Sequence, residues 1–123
     1  MNIVHELNQL EYGGVERVIR NIVKFDKGNK HTILAYKDGP FREEFEAVGA
    51  EVIIAPADKS IDFDAHVLHI HSGGAISHMA MSLGKQLPVV ETIHSPIRSP
   101  MPAGVIRQRV GVTEVVARIN GGI

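Results

Sequence analysis

Apolar residues along this chain alternate between short contiguous runs and stripes at helical spacing. Ile3-Val4-His5-Glu6-Leu7 reads as a first strand. Val15, Val18, Ile19, Ile22 and Val23 then recur with helical periodicity, which predicts an amphipathic helix from about Gly14 to Lys24. The polar turn from Asp26 to Lys30 contains Gly28, and Thr32 to Tyr36 forms a second strand. Asp38-Gly39-Pro40 breaks the chain. Pro40 suits the first turn of a helix whose Phe41, Phe45 and Val48 share a face, and Gly49 is its stop. Val52 to Ala55 is a third strand, followed by a polar connection from Pro56 to Asp64. Val67 to His71 is a fourth strand that runs into Ser72-Gly73-Gly74. Ile76, Met79, Ala80 and Leu83 mark another helix, ended by Gly84 to Pro88, and Val89 to Ile93 is a fifth strand. From His94 to Gly104 the prolines Pro96, Pro100 and Pro102 exclude regular structure. A short helix over Val105 to Arg109, a strand over Val110 to Val112 and a helix from Thr113 to about Ile119 complete the expectation.

Strands alternating with helices at this spacing predict an α/β fold, a Rossmann-like, doubly wound, mainly parallel sheet with helices on both faces. Its crossovers are expected to be right-handed. At 123 residues the chain is expected to form one domain, 1–123, large enough to bury a core.

Composition narrows the classes. Hydrophobic residues make up 44% and charged residues 22%, an ordinary globular mixture, and the formal net charge of −1 provides no global attraction for nucleic acid. The absence of cysteine removes disulfides, thiolate metal sites and cysteine nucleophiles, and fits a cytoplasmic location. No basic-then-apolar leader opens the sequence, and no apolar stretch approaches the roughly 20 residues needed to cross a bilayer. Any membrane contact is therefore expected to be peripheral.

Four segments carry candidate chemistry. In Tyr12-Gly13-Gly14-Val15-Glu16 the glycine pair lies between the first strand and its helix, at the sheet edge where doubly wound folds bind ligands. Glycine admits close approach of backbone to ligand, and a helix N-terminus offers N–H groups to phosphate. The same glycines equally make a tight strand-to-helix turn. The loop is neither a G-x-G-x-x-G fingerprint nor a phosphate loop with G-K-[ST], so neither a dinucleotide cofactor nor ATP hydrolysis is indicated.

In Asp64 through Gly74, period-two alternation puts His69 and His71 on one strand face and His66 outside that pair. Two imidazoles so spaced suit zinc, but the sheet setting and the lack of a carboxylate third ligand favour no metal. His71, Ser72 and Gly73 then stand at the ligand edge. In Pro88 through Pro96 an apolar strand delivers Thr92, His94 and Ser95 to that edge. His94 there either bonds a sugar hydroxyl or acts as acid or base near neutral pH; Ser95 lacks a nucleophile elbow. In Val112-Thr113-Glu114 the threonine is an N-cap and the glutamate suits the first turn, so capping alone explains both, although this turn opens at the same edge.

Together the four segments resemble the N-terminal domain of GT-B-fold glycosyltransferases of the retaining family 4. That family begins with a strand and a G-G-x-E loop, like Gly13-Gly14-Val15-Glu16. It continues with a D-x-x-H-x-H strand, resembled by Asp64 to His71, and a P-x-V-x-T-x-H segment, like Pro88 to His94. It then has a strand ending in Ser or Thr before an acidic helix start, like Thr113-Glu114. The resemblance spans nearly the whole chain in order, with shorter segments between the strands than is usual.

The resemblance implies transfer of a sugar from a nucleoside-diphosphate sugar to an acceptor hydroxyl, with retention and with no cofactor. The acceptor would be a glycan or glycolipid, met in the cytoplasm at the inner membrane face. Gly13, Gly14 and Glu16 would approach the donor, with His94 the catalytic-side group facing the donor sugar. His71, Ser72, Gly73, Thr92, Ser95, Thr113 and Glu114 would line the substrate edge. The family's second Rossmann domain, with its diphosphate-neutralising basic residues and Glu-x7-Glu motif, would lie beyond Ile123. The 123 residues alone are then expected to be inactive, with an open cleft face prone to self-association. Two other readings stand: a self-contained, non-catalytic Rossmann-like module for a nucleotide or sugar, and a metallohydrolase using His69, His71 and His94.

Overall fold

In the computed structural model, residues 1–55, 64–72, 77–84, 86–94, 98–111 and 118–120 are described, the side chains of Ser72 and Leu83 excepted. They form two compact units, Met1–His66 and Val67–Ile123.

The first unit holds β1 (Asn2–Gln9), α1 (Gly14–Phe25), β2 (Lys30–Lys37), α2 (Arg42–Ala47) and β3 (Glu51–Ile54). β2 pairs with β1 on one side and β3 on the other, both parallel, with Ile3 opposite His31 and Ile33 opposite Val52. This central strand is buried from His31 to Ala35, on both faces, as a parallel strand between two others must be. Thr32 satisfies its buried hydroxyl by donating to Asn2 Oδ1 at 3.1 Å.

α1 starts where Gly13 leaves the extended conformation. Glu16 in its first turn and Lys24 in its last complement the helix dipole. Its stripe is only partly inward. Ile19 and Val23 join Leu7, Leu10, Ile33, Ala35, Phe41 and Phe45 in one core, whereas Val18 and Ile22, expected on the same face, are exposed. A helix side covers only about 100° against a sheet, and residues at its margin remain in water. Phe41 stands edge-on between Tyr12 and Phe45, with ring centroids 5.4 and 5.0 Å away. Two glycines are conformationally specific. A Cβ at Gly39 would overlap the Leu10 carbonyl, and Gly49, at φ 96°, ends α2 in the left-handed region, as expected of a helix stop.

The second unit holds β4 (Val67–Ser72), α3 (His78–Leu83), β5 (Val89–Ile93) and β6 (Gln108–Gly111). β5 is central, parallel to β4 and to β6, with His71 opposite Thr92 and Glu91 opposite Arg109. Ser77 caps α3 by accepting the Ala80 N–H at 3.1 Å. Among the described residues, Leu68, Ile70, Met79, Ala80, Val89, Ile93 and Met101 are its buried apolar residues.

Here one expectation fails. No helix covers Val105 to Arg109. Val105 closes a turn onto Pro102 O at 3.1 Å, Arg107 N donates to Val89 O at 2.8 Å, and β6 begins at Gln108. A five-residue helix has too few hydrogen bonds to offset its nucleation cost, so pairing with β5 prevails. The expected closing helix falls largely on residues 112–117, outside the described residues; Arg118 and Ile119 are helical.

Among the described residues there are six strands, and every pairing within each unit is parallel. The fold is therefore α/β and Rossmann-like. The strand orders, β3-β2-β1 and β4-β5-β6, are those of the two βαβαβ halves of such folds. Among the described residues no helix is long and apolar enough to cross a membrane.

Candidate functional site

The second unit concentrates histidine at the carboxyl ends of β4 and β5. Alternation places His69 and His71 on one face of β4, their rings 4.2 Å apart between centroids. Parallel pairing puts Thr92 opposite His71, and His94 follows just past the end of β5. His71 Nδ1 and His94 Nε2 share a hydrogen bond at 2.9 Å, their rings stacked at 5.2 Å. His69 Nε2 and the Thr92 hydroxyl lie 2.7 Å apart.

The pair lies where burial matters. Partial burial holds the His94 pKa below its ordinary value, since desolvation penalises the imidazolium, and the ring is therefore neutral at pH 7. One proton lies between His71 Nδ1 and His94 Nε2, which fixes the orientation of both rings. Among the described residues His94 Nδ1 has no hydrogen-bond partner. His94 thus offers a neutral, oriented nitrogen at a strand end, able to accept a proton or a hydroxyl hydrogen bond.

The expected residues at this edge divide. His71, Thr92 and His94 come together as the sequence predicts, but Thr92 Oγ1 is engaged by His69, so it orients a ring rather than presenting a bare hydroxyl. Of the nitrogens that a metallohydrolase would turn towards an ion, His71 Nδ1 and His94 Nε2 are bonded to one another and His69 Nε2 to Thr92, whereas His69 Nδ1 and His71 Nε2 take no part in these bonds. Ser72 ends β4 in register with Ile93. Gly73, Ser95, Thr113 and Glu114 lie outside the described residues.

The glycine loop belongs to the first unit. Gly13 is the N-cap of α1, and its open side is filled by Glu16. A Cβ at Gly13 would sit 3.0 and 3.1 Å from the two Glu16 carboxylate oxygens. Glu16 is buried with its carboxylate beside Gly13, while the Gly13 N–H itself donates to Glu11 O at 3.0 Å. The positive end of α1 thus already faces an anion of its own chain, and an incoming phosphate would have to displace it. At Gly14 a Cβ would meet nothing within 4 Å.

Two polar networks escaped the sequence reading. In the first unit His31, buried between strands, lies 2.9 Å from Asp26 Oδ2 through Nε2 and 2.9 Å from His5 Nε2 through Nδ1. Asp26 is held ionised below its usual pKa, first by the Asn29 side chain and also by His31. His31 Nε2–H donates to the Asp26 carboxylate, and His31 Nδ1 and His5 Nε2 share one hydrogen bond. In the second unit Glu91, fully buried in mid-strand, accepts from Arg109 Nε at 3.0 Å and from the Ser99 hydroxyl at 2.7 Å. A signal for the latter was present: a carboxylate amid Val89-Val90 and Ile93 requires a cationic partner. His5 and His31 gave none, because their contact depends on strand register.

No protein-family model, no curated protein and no solved structure matches the chain.

Proposed function

We propose that this chain is the acceptor-side half of a retaining glycosyltransferase that moves a sugar from a nucleoside-diphosphate sugar to an acceptor hydroxyl. The observation that carries the reading is the His71–His94 pair at the carboxyl ends of β4 and β5. A neutral imidazole oriented by a second one suits hydrogen bonding to a sugar hydroxyl, and this is the strand edge at which doubly wound folds take ligands. The order of the G-G-x-E, H-x-H and P-x-V-x-T-x-H segments supports the same reading. His94 contacts the transferred sugar, and His71 positions His94.

The test is a mass-spectrometric transfer assay on the native-length polypeptide, with a panel of nucleoside-diphosphate sugars and glycan or glycolipid acceptors. Sugar transfer is expected, with a His94→Ala loss of at least about a hundredfold in kcat, the range of an acid, base or hydrogen-bonding group in a reaction site. Wild-type rates in His94→Ala would overturn the assignment. Saturable sugar or nucleotide binding without any turnover would replace it by a non-catalytic binding module.

A further inference from the structure

At the amino ends of β5 and β6 the second unit holds a cavity of about 320 Å³, within the size range of small-molecule sites. It is lined by Gly84 and residues 86–89, which follow α3, and by residues 104–107, which precede β6. Among the described lining residues Arg107 alone is charged. It is exposed, and among the described residues its guanidinium has no hydrogen-bond or ion-pair partner. The surrounding sequence offers few anions. Between Val67 and Ile123 five lysines and arginines stand against two carboxylates, Glu91 and Glu114, and Glu91 is matched by Arg109.

The frame is held in place before any ligand arrives. The Arg107 N–H donates to the Val89 carbonyl at 2.8 Å and the Val105 N–H to the Pro102 carbonyl at 3.1 Å, while the Pro88 carbonyl accepts from the Leu68 N–H at 3.0 Å. Gly84 seats the two walls against each other. A Cβ there would lie 2.8 Å from Val105 Cγ1 and 2.8 Å from the Ala80 carbonyl oxygen. Leu87, Pro88, Val105 and Ile106 are half-buried, so an apolar body set against them removes further surface from water. The planar fork of a guanidinium matches the two oxygens of a carboxylate.

We propose that this cavity binds a small organic carboxylate, with Arg107 paired to the carboxylate and the apolar body resting on Leu87, Val105 and Ile106. Gln86, an exposed lining residue, adds an amide donor. Val89 lines the cavity and Ile93, at the far end of β5, precedes His94, so the strand sets the two places about 13 Å apart. A ligand held by Arg107 therefore does not touch the histidine edge, and the site is independent of the transferase reading.

The experiment titrates the 123-residue chain with benzoate at about 0.15 M salt, where long-range attraction is screened, following backbone amides by NMR. A parallel arm uses benzyl alcohol, of the same shape without the charge. The expected result is saturable shifts with benzoate at Gln86, Val89, Gly104, Val105 and Arg107, half-complete at on the order of 1 mM or below. Arg107→Gln should weaken benzoate binding at least about tenfold, since it removes a charge-assisted pair, and should leave the response to benzyl alcohol unchanged. Arg107 is exposed and its guanidinium pairs with none of the described residues, so the fold survives, and unchanged amide dispersion verifies it. No saturable shift at these amides, equal affinity for benzyl alcohol, or equal benzoate affinity in Arg107→Gln overturns the proposal.

Discussion

The two units solve the same problem, polar side chains inside a three-stranded parallel sheet, in opposite ways. In Met1–His66 the charge sits at the margin. Asp26 lies past the end of α1, and the groups led inward from it are the imidazoles of His31 and His5. In Val67–Ile123 the charge itself is inside. Glu91 is fully buried and is tolerated because Arg109 and Ser99 meet both of its oxygens, while the imidazole of His94 stands partly exposed at the strand ends. A buried histidine chain contributes to packing, whereas a histidine at a strand end is free to meet a ligand. Residue type alone does not separate these uses; position along the strand does.

The largest expected effect tests the buried charge. Arg109→Met leaves Glu91 with only the Ser99 hydroxyl, and breaking such a pair costs about 3–5 kcal/mol. Urea unfolding reads this directly, and a cost below about 1 kcal/mol would mean that water reaches Glu91 and the contrast between the units fails.

A smaller effect probes the marginal charge. His31→Ala removes the link between Asp26 and His5 and should cost about 1–3 kcal/mol, the penalty for buried polar groups left unsatisfied. His94→Ala, at the strand end, should cost clearly less in the same assay. Equal costs would erase the distinction between packing and ligand-facing histidines.

The smallest effect is in pH dependence. The folded pKa of His94 lies below its ordinary value of 6.5 because burial penalises the imidazolium. Above 6.5 the ring is neutral in folded and unfolded chains alike, and its full contribution is present. As pH falls below 6.5 the unfolded chain takes up a proton that the folded chain resists, so stability declines until the folded pKa is passed. His94→Gln should therefore flatten part of the acid-side decline in melting temperature. An unchanged slope would place His94 in full solvent.

Much of the architecture is legible in local periodicity. The five strands from β1 to β5, the extent of α1 and the cap at Gly49 are set by alternation, helical spacing and glycine, all of which act within a few residues. The shared face of His69 and His71 is legible for the same reason, because a strand repeats every two residues. The polar clusters are different. Whether His5 meets His31, or Glu91 meets Arg109, depends on strands 26 and 18 residues apart in the chain adopting one register. The same dependence made Gln108 a strand residue against its local helical pattern, and it brought Gly39 against Leu10.

By itself, then, the sequence determined the α/β class, the elements and the sides of the strands on which the histidines lie. Only the tertiary structure decided which polar groups become partners, which edge of the helix stripe stays wet, and that the Glu16 carboxylate occupies the N-terminus of α1. The physical reason is range: periodicity and capping are decided between neighbours a few residues apart, whereas hydrogen bonds among buried charges are decided by register, packing and desolvation across the whole sheet.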